Sequence, residues 1–261
     1  MKTQNGNIDY TKYPLPRIRH HANPVLYFPL KQHKGEKLRY PPLIDRLDWN
    51  DVFANGEAAK YLDVGCGLGK FMLETAVRNP GVNILGCEVR QGAVEWISKV
   101  IAGEKIANAK ALWYSAVNGF GFIDDESIEK IFYFFPDPWI KRRHNKRRAF
   151  SIELLGEFHR ILEPDGTLYI MTDVPEADKH QQEILAEHSG FSYSYVADEE
   201  WDLRVRTNQE EFCMRKNIPF IRMVCRKNKI KNSFKSLLSS IFSRVFTFII
   251  ISFLNIFAFK P

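Results

Sequence analysis

An acidic residue fixed between two prolines lies beside the most basic stretch of the chain. Asp137 stands between Pro136 and Pro138, and six lysines and arginines follow within residues 141–148. The prolines restrict the backbone on both sides, which holds the carboxylate in place at a small cost in chain entropy. A dense run of positive charge suits phosphate groups. Residues 132–148 therefore predict an enzyme that acts on nucleic acid; a capped turn and a solvated charged surface are the simpler alternatives.

A glycine-rich turn after an earlier apolar run forms a second candidate site. Gly65 and Gly67 lie in the sequence DVGCGLG, which begins with Asp63, and Glu88 ends the next apolar run. Glycines at alternate positions let the backbone turn sharply and approach a ligand closely. An acid at the end of the second strand accepts hydrogen bonds from ribose hydroxyls. The G-x-G-x-G spacing, with an acid suited to an amino group, favours S-adenosylmethionine over a dinucleotide. A turn that serves only packing is the simpler alternative.

Two further polar clusters lie later in the chain. Asp173 ends one apolar run, and the second cluster, residues 207–211, precedes the last run and includes Thr207 and Glu210. Polar groups at the carboxyl ends of neighbouring parallel strands meet in one cleft. Both clusters are therefore expected to approach Asp137, unless they serve only as turns or helix caps.

Short apolar runs alternate with amphipathic stretches from residue 59 onward, and this alternation positions the candidate residues. The predicted strands are 60–64, 82–89, 109–114, 127–135, 167–172, 191–196 and 218–226. The predicted helices are 70–78, 91–102, 152–162 and 176–188, with a turn at 163–166. Strands that alternate with helices indicate an α/β fold with a mainly parallel sheet. No helix is predicted between the last two strands, which indicates an antiparallel hairpin at the sheet edge.

The composition is that of a globular protein with a basic surface. The 261 residues are 45% hydrophobic and 26% charged, and the net charge of +6 favours an anionic partner. The cysteines are scattered without the spacing of a metal site, so we expect reduced thiols and no metal. The polar N-terminus lacks the apolar core of a secretion signal, which predicts a cytoplasmic protein.

Both ends of the chain differ in composition from the middle. Residues 1–58 contain many prolines with basic and aromatic residues between them, and are predicted to form an arm over a domain at 59–226. Residues 227–261 form a basic and apolar tail that is interrupted by Arg244. Its charge-free part, residues 245–259, is shorter than the ~20 residues that span a bilayer. The tail has three interpretations: an extension without a role, contact with an anionic membrane surface, and packing on a partner.

The content and order of these segments resemble the tRNA (guanine-N7-)-methyltransferase family, which methylates the guanine at position 46 of the tRNA variable loop. The resemblance extends over residues 15–226 and is carried by RHHANP at 19–24, DVGCGLG at 63–69, LGCEVR at 85–90, FFPDPWIKRRHNKRR at 134–148, TDV at 172–174, and Thr207 with Glu210. The resemblance implies a Rossmann-like class I methyltransferase fold. This fold has a mainly parallel seven-stranded sheet with an antiparallel edge strand and helices on both faces. The resemblance also implies S-adenosylmethionine as the cofactor and tRNA as the partner.

The same resemblance assigns roles to individual residues. The cofactor-binding residues are Asp63, Gly65, Gly67, Glu88, Ser115 and Asp137, with Glu88 on the ribose. Asp137 is also the catalytic residue, between the cofactor and the guanine. The residues on the substrate side are Lys141, Asp173, Thr207 and Glu210. Two positions depart from the family pattern: Ser115 replaces the usual Asp or Asn near the adenine, and the Thr207 loop resembles the eukaryotic members, which act with a partner subunit.

Three other functions stay open from the residues alone. A catalytically silent RNA-binding module would bind tRNA without affinity for S-adenosylmethionine. A nicotinamide oxidoreductase is disfavoured by the G-x-G-x-G spacing. A methyltransferase that acts on another substrate would not need the basic run at 141–148. The oligomeric state is predicted only as monomer or homodimer.

Overall fold

A seven-stranded sheet forms the centre of the molecule. The computed structural model describes residues 8–18, 22–32, 39–137 and 149–228. The strands are β1 (Tyr61–Val64), β2 (Ile84–Glu88), β3 (Ala109–Trp113), β4 (Ile128–Phe134), β5 (Leu162–Thr172), β6 (Phe191–Tyr195) and β7 (Ile221–Lys227). They lie in the order β3-β2-β1-β4-β5-β7-β6, and only β7 runs antiparallel to its neighbours. The predicted α/β fold with a mainly parallel, seven-stranded sheet is confirmed.

Six α-helices accompany the sheet in the described part of the chain. They are α1 (Trp49–Val52), α2 (Lys70–Arg78), α3 (Gln91–Glu104), α4 (Ile152–Ile161), α5 (Pro175–Glu187) and α6 (Asn208–Lys216). Helix α4 begins after Ser151, whose hydroxyl accepts a hydrogen bond from the Leu154 N–H. The buried residues of α4, among them Leu155 and Phe158, recur at helical spacing and so form one apolar face.

The helices cover both faces of the sheet, as predicted. On one face, Ile97 of α3 belongs to a buried cluster with Phe132 of β4. On the other face, Phe158 of α4 packs in a cluster with Leu62 of β1 and Ile131 of β4. Neighbouring residues of β4 thus enter opposite cores, since successive side chains of a strand point to opposite faces. A sheet covered on both sides explains why its central strands are continuous apolar runs.

Three features of the sheet and helices differ from the sequence prediction. The predicted turn at 163–166 lies within β5, where pairing moves from Ile128–Leu162 to Lys130–Thr167 and the four residues bulge opposite Glu129. Helix α6 was not predicted, because its polar sequence buries only Glu210 and Cys213. The antiparallel pair is present, but its antiparallel strand β7 lies one position inside the edge, which is formed by β6.

The described parts of the N-terminal arm lie against the domain. Trp96 of α3 donates its indole N–H to the Tyr13 carbonyl at 3.3 Å, and the Asn118 side-chain amide donates to the Tyr40 hydroxyl at 3.0 Å. Within the described ranges, no helix combines the length and hydropathy that crossing a bilayer requires. The tail from residue 229 onward lies outside those ranges, so its contact with a membrane surface or a partner stays a prediction, as do the predicted domain boundaries.

Candidate active site

A cleft opens at the carboxyl ends of β1 and β4. Strand β1 pairs with β2 on one side and with β4 on the other, so the order of the strands reverses here. Open α/β sheets bind ligands at such a switch point. The cleft has two lobes. The first lobe is lined by the ends of β2 and β3, with Glu88 and Ser115, and the second by the glycine turn with Asp173 and Thr207. Asp137 lines both lobes.

The turn after β1 depends on two glycines in the left-handed region of backbone conformation. Gly65 has a φ of 79° and Gly67 a φ of 60°, values that side chains disfavour. A Cβ atom added at Gly65 would meet no heavy atom within 4 Å, so this backbone faces the open cleft. The Gly65 N–H donates to the Cys87 carbonyl at 2.9 Å, which ties the turn to the end of β2.

Glu88 anchors the glycine turn from the end of β2. Its carboxylate accepts a hydrogen bond from the Gly67 N–H at 3.0 Å, and the Arg90 guanidinium donates to both carboxylate oxygens at 2.9 and 3.0 Å. Glu88 is only 4% exposed, and its hydrogen bonds to Arg90 raise the pKa of that guanidinium. The carboxylate is therefore held in a fixed position at the rim of the first lobe.

Asp63 is a buried carboxyl at the end of β1 that lines the second lobe. Burial and, second, the negative charge of Glu88 raise the pKa of Asp63 to about 8. At neutral pH this carboxyl is mostly protonated. A positively charged group in the lobe would stabilise the ionised form, so the position is suited to binding a cation.

Asp137 follows β4 through a strained backbone. Phe135 has a φ of 47°, which is uncommon for a bulky residue, and its N–H donates to the Met171 carbonyl at 2.8 Å. This bond and the ring of Pro136 fix the turn that brings Asp137 to both lobes. The Tyr27 hydroxyl donates to Asp137 Oδ2 at 2.5 Å. The rest of the predicted segment, residues 138–148 with Lys141, lies outside the described residues.

The carboxyl end of β5 and the start of α6 meet at the second lobe. The Gln209 side-chain amide donates to Asp173 Oδ2 at 2.9 Å, and the Cys213 sulfur lies 3.6 Å from the same oxygen. Thr207 caps α6 and lines the lobe beside them. The structure thus places two of the predicted substrate-side residues, Asp173 and Thr207, in one lobe with Asp137.

Glu210, the third of these residues within the described ranges, is completely buried. Its carboxylate accepts hydrogen bonds from the Thr207 N–H at 3.2 Å and from the Arg222 guanidinium at 2.7 Å. The Thr207 hydroxyl in turn accepts from the Glu210 N–H at 2.9 Å, which completes a capping box. This burial favours a positioning role: Glu210 holds Thr207 and the start of α6 at the cleft.

Three residues that contact the candidate site residues were not predicted to have a role: Tyr27 and Arg90, which line the cleft, and Arg222, which pairs with Glu210. Arg90 falls within the segment LGCEVR, so the resemblance offered a signal for it. Tyr27 and Asp137 are 110 residues apart, and no local pattern indicates their contact. Ser115 is buried and donates to the Leu26 carbonyl at 2.7 Å, which joins the first lobe to the arm. Within the described ranges, no group of three or more His, Cys, Asp or Glu side chains could hold a metal ion.

Comparison with known proteins gives four findings. Residues 57–223 match the model of a family described as putative methyltransferases. A tRNA (guanine-N(7)-)-methyltransferase from Synechocystis sp. is 30% identical over 225 residues, which cover 81% of this chain and 97% of the relative. The enzyme of the same name from Aliivibrio salmonicida is 33% identical over 146 residues, which cover 56% of this chain and 61% of the relative. A solved 16S rRNA methyltransferase, KamB, matches 69% of this chain at 17% identity, with a TM-score of 0.48.

Proposed function

This chain belongs to the tRNA (guanine-N(7)-)-methyltransferase family, and from that membership we propose that it transfers the methyl group of S-adenosylmethionine to N7 of a guanine in tRNA. The position of Asp137 is the observation that carries the proposal. Its carboxylate borders both lobes of the cleft, where two reactants would meet. The variable-loop guanine at position 46 is the proposed target, as the resemblance implies.

The first lobe and the glycine turn fit S-adenosylmethionine. Glu88 offers a fixed carboxylate for ribose hydroxyls, and the turn at Gly65 leaves open space beside the backbone. Asp63, with its raised pKa, is suited to a cationic amino group. Ser115 lines the first lobe and is proposed to lie near the adenine. Together with the G-x-G-x-G spacing, these residues support S-adenosylmethionine rather than a dinucleotide.

The proposed chemistry needs positioning more than proton transfer. S-adenosylmethionine supplies an electrophilic methyl group, and guanine N7 has a lone pair and no proton, so no strong base is required. Asp137 and the second lobe hold the base in line with that methyl group. The base gains positive charge on methylation, and the carboxylates of Asp137 and Asp173 stabilise this charge. The guanine leaves its stack to reach the cleft, a step for which Trp139 and the cations at 141–148 are proposed to hold the RNA.

Cofactor binding is expected to release about one proton at pH 7, because the cofactor ammonium lowers the pKa of Asp63 from its raised value in the free protein. Calorimetric titration with S-adenosylhomocysteine in buffers of different ionisation enthalpy measures the number of protons released. S-adenosylhomocysteine carries the same amino group without the reactive methyl. The Asp63→Asn variant serves as the control and is expected to release none. An equal release from both proteins would show that Asp63 is not the group that binds the amine.

A tRNA transcript with one altered atom tests the proposed function. The protein is incubated with tritiated S-adenosylmethionine and a transcript that carries either guanosine or 7-deazaguanosine at position 46. The deaza base has C–H in place of N7, so it has no lone pair to attack the methyl group. Incorporation is expected only into the guanosine transcript, followed by chain cleavage at 7-methylguanosine after borohydride and aniline treatment. Equal incorporation into both transcripts, or none into either by a protein that binds S-adenosylhomocysteine, would contradict the proposal.

The proposed partner is tRNA. The residues proposed to hold it within 138–148 lie outside the described ranges, so their contacts with RNA stay a prediction from the sequence. A cytoplasmic location is proposed on the same basis as the substrate, since the related proteins are named for acting on tRNA. The choice between monomer and homodimer stays a prediction.

A further inference from the structure

The N-terminal arm is joined to the cleft by several hydrogen bonds. The Ser115 hydroxyl donates to the Leu26 carbonyl at 2.7 Å. The Leu30 N–H donates to the Asn118 side-chain oxygen at 2.9 Å. On the domain, the donor Ser115 and the acceptor Asn118 both follow β3, whose end borders the first lobe. The arm residues 22–32 therefore lie over the cleft rather than on a remote surface.

Tyr27 extends from this part of the arm into the first lobe. Its side chain lines the lobe together with Glu88, and its hydroxyl donates to Asp137 Oδ2 at 2.5 Å. A hydrogen bond this short to a carboxylate is among the stronger ones that proteins form. Burial and, second, the negative charge of Asp137 raise the pKa of Tyr27 well above its usual value. The hydroxyl therefore keeps its proton at neutral pH and donates a hydrogen bond to Asp137.

The backbone and Tyr27 restrain Asp137 from two different directions. The turn after β4 is fixed by the Phe135 N–H, which donates to the Met171 carbonyl. That turn sets where the Asp137 backbone lies, but a carboxylate on two rotatable bonds still has several rotamers. The hydrogen bond from Tyr27 favours one of them. Loss of this bond would lower the population of that rotamer, and with it the fraction of molecules that hold the base correctly at any moment.

Tyr27 acts from the side of the cleft that faces away from the substrate. It lines the first lobe, whereas the second lobe is lined by Asp173, Thr207 and Gln209 and not by Tyr27. Its ring therefore does not occupy the space in which the guanine is proposed to lie. Tyr27 can therefore support Asp137 without blocking the guanine.

We propose that Tyr27 is a positioning residue for Asp137, so that the N-terminal arm forms part of the active centre. This proposal rests on the proposed function, in which Asp137 lies between the methyl donor and the base. It assigns to the arm a role in the rate of the reaction, in addition to any role in binding tRNA.

Tyr27→Phe tests the proposal, because it removes one oxygen and keeps the ring that lines the lobe. We expect kcat for tRNA methylation to fall about tenfold, with the KM for tRNA changed by less than about twofold. Tyr40→Phe is the matched control. The Tyr40 hydroxyl also docks the arm, since it accepts a hydrogen bond from the Asn118 side-chain amide at 3.0 Å, but the first lobe is not lined by Tyr40. We expect Tyr40→Phe to keep kcat within about twofold of the wild type.

A double-mutant cycle separates this proposal from the proposed function. The affinity for S-adenosylhomocysteine is measured for the wild type, Tyr27→Phe, Asp137→Asn and the double variant, and this measurement requires no tRNA. We expect Tyr27→Phe to weaken binding by about threefold in the wild-type background and to have no effect beside Asp137→Asn. An inactive wild type would contradict the proposed function, while the cycle would still decide the coupling. Additive effects in the cycle, or an equal loss of kcat in Tyr27→Phe and Tyr40→Phe, would overturn the role of Tyr27.

Discussion

Replacing Asp137 by asparagine is expected to lower kcat for tRNA methylation by about 10²- to 10³-fold. The substitution keeps the size and shape of the side chain but removes the negative charge that stabilises the methylated, positively charged base. It also replaces one acceptor oxygen by a donor group, which repels the N–H edge of guanine. Affinity for S-adenosylhomocysteine is expected to stay within about fivefold of the wild type, since Asp63 and Glu88 still bind the cofactor.

Single-turnover methylation and calorimetry measure the two quantities separately. Asp124→Asn, at an exposed aspartate after β3, is the matched control and is expected to have wild-type kcat. Thermal unfolding of both variants checks that the domain is folded. Full methylation by a folded Asp137→Asn protein would show that the charge of this carboxylate does not contribute to the reaction, and would remove the observation on which the proposed function rests.

Replacing Glu210 by alanine is expected to lower the free energy of unfolding by about 3–5 kcal/mol. Glu210 is completely buried, and its loss leaves the buried Arg222 guanidinium with the half-exposed Asp198 at 2.6 Å in place of two carboxylates. The same change removes half of the capping box at the start of α6. For a domain of this size, the melting temperature should fall by roughly 10 °C. Because Thr207 loses its anchor, the KM for tRNA should also rise.

The neighbouring residue provides a control for this prediction. Glu211 is half-exposed and pairs with Lys70 on the protein surface, at 2.5 Å. Exposed ion pairs contribute about 0–1 kcal/mol, so Glu211→Ala should change the melting temperature by no more than about 2–4 °C. Chemical denaturation of both variants measures the difference in free energy directly. Similar values for the two variants would mean that the buried pair of Glu210 and Arg222 contributes no more than a surface pair.

The fold was predictable because its signals are local. Each central strand is a short apolar run, and the helices between them, such as α3 and α4, show apolar residues at helical spacing. Helix α6 has only two buried residues and therefore lacks that spacing. The pattern of Thr207 followed by Glu210 is a capping box, so a signal for the start of this helix was present in the sequence. The bulge at 163–166 was interpreted as a turn, because proline and glycine mark both.

The candidate site was predictable only in part, for a related reason. Four acids lie at or just after the carboxyl end of a strand, and a parallel sheet brings such residues to one edge: Asp63, Glu88, Asp137 and Asp173. The contacts that restrain them involve residues far away in the chain: Tyr27 reaches Asp137 from the arm, and Arg222 of β7 reaches Glu210 of α6. These contacts depend on how loops and strands pack in three dimensions, which neither spacing nor composition records.

The bond between Tyr27 and Asp137 can form only after residue 137 has been synthesised. Its two residues are 110 positions apart, so at a synthesis rate of about 5–20 residues per second the second follows the first by about 5–20 s. During that interval Tyr27 lacks this partner, since β4 and the turn after it do not yet exist. The contacts of the arm with Trp96, Ser115 and Asn118 involve residues that are made earlier, so the contact with Asp137 is the last of these to become possible.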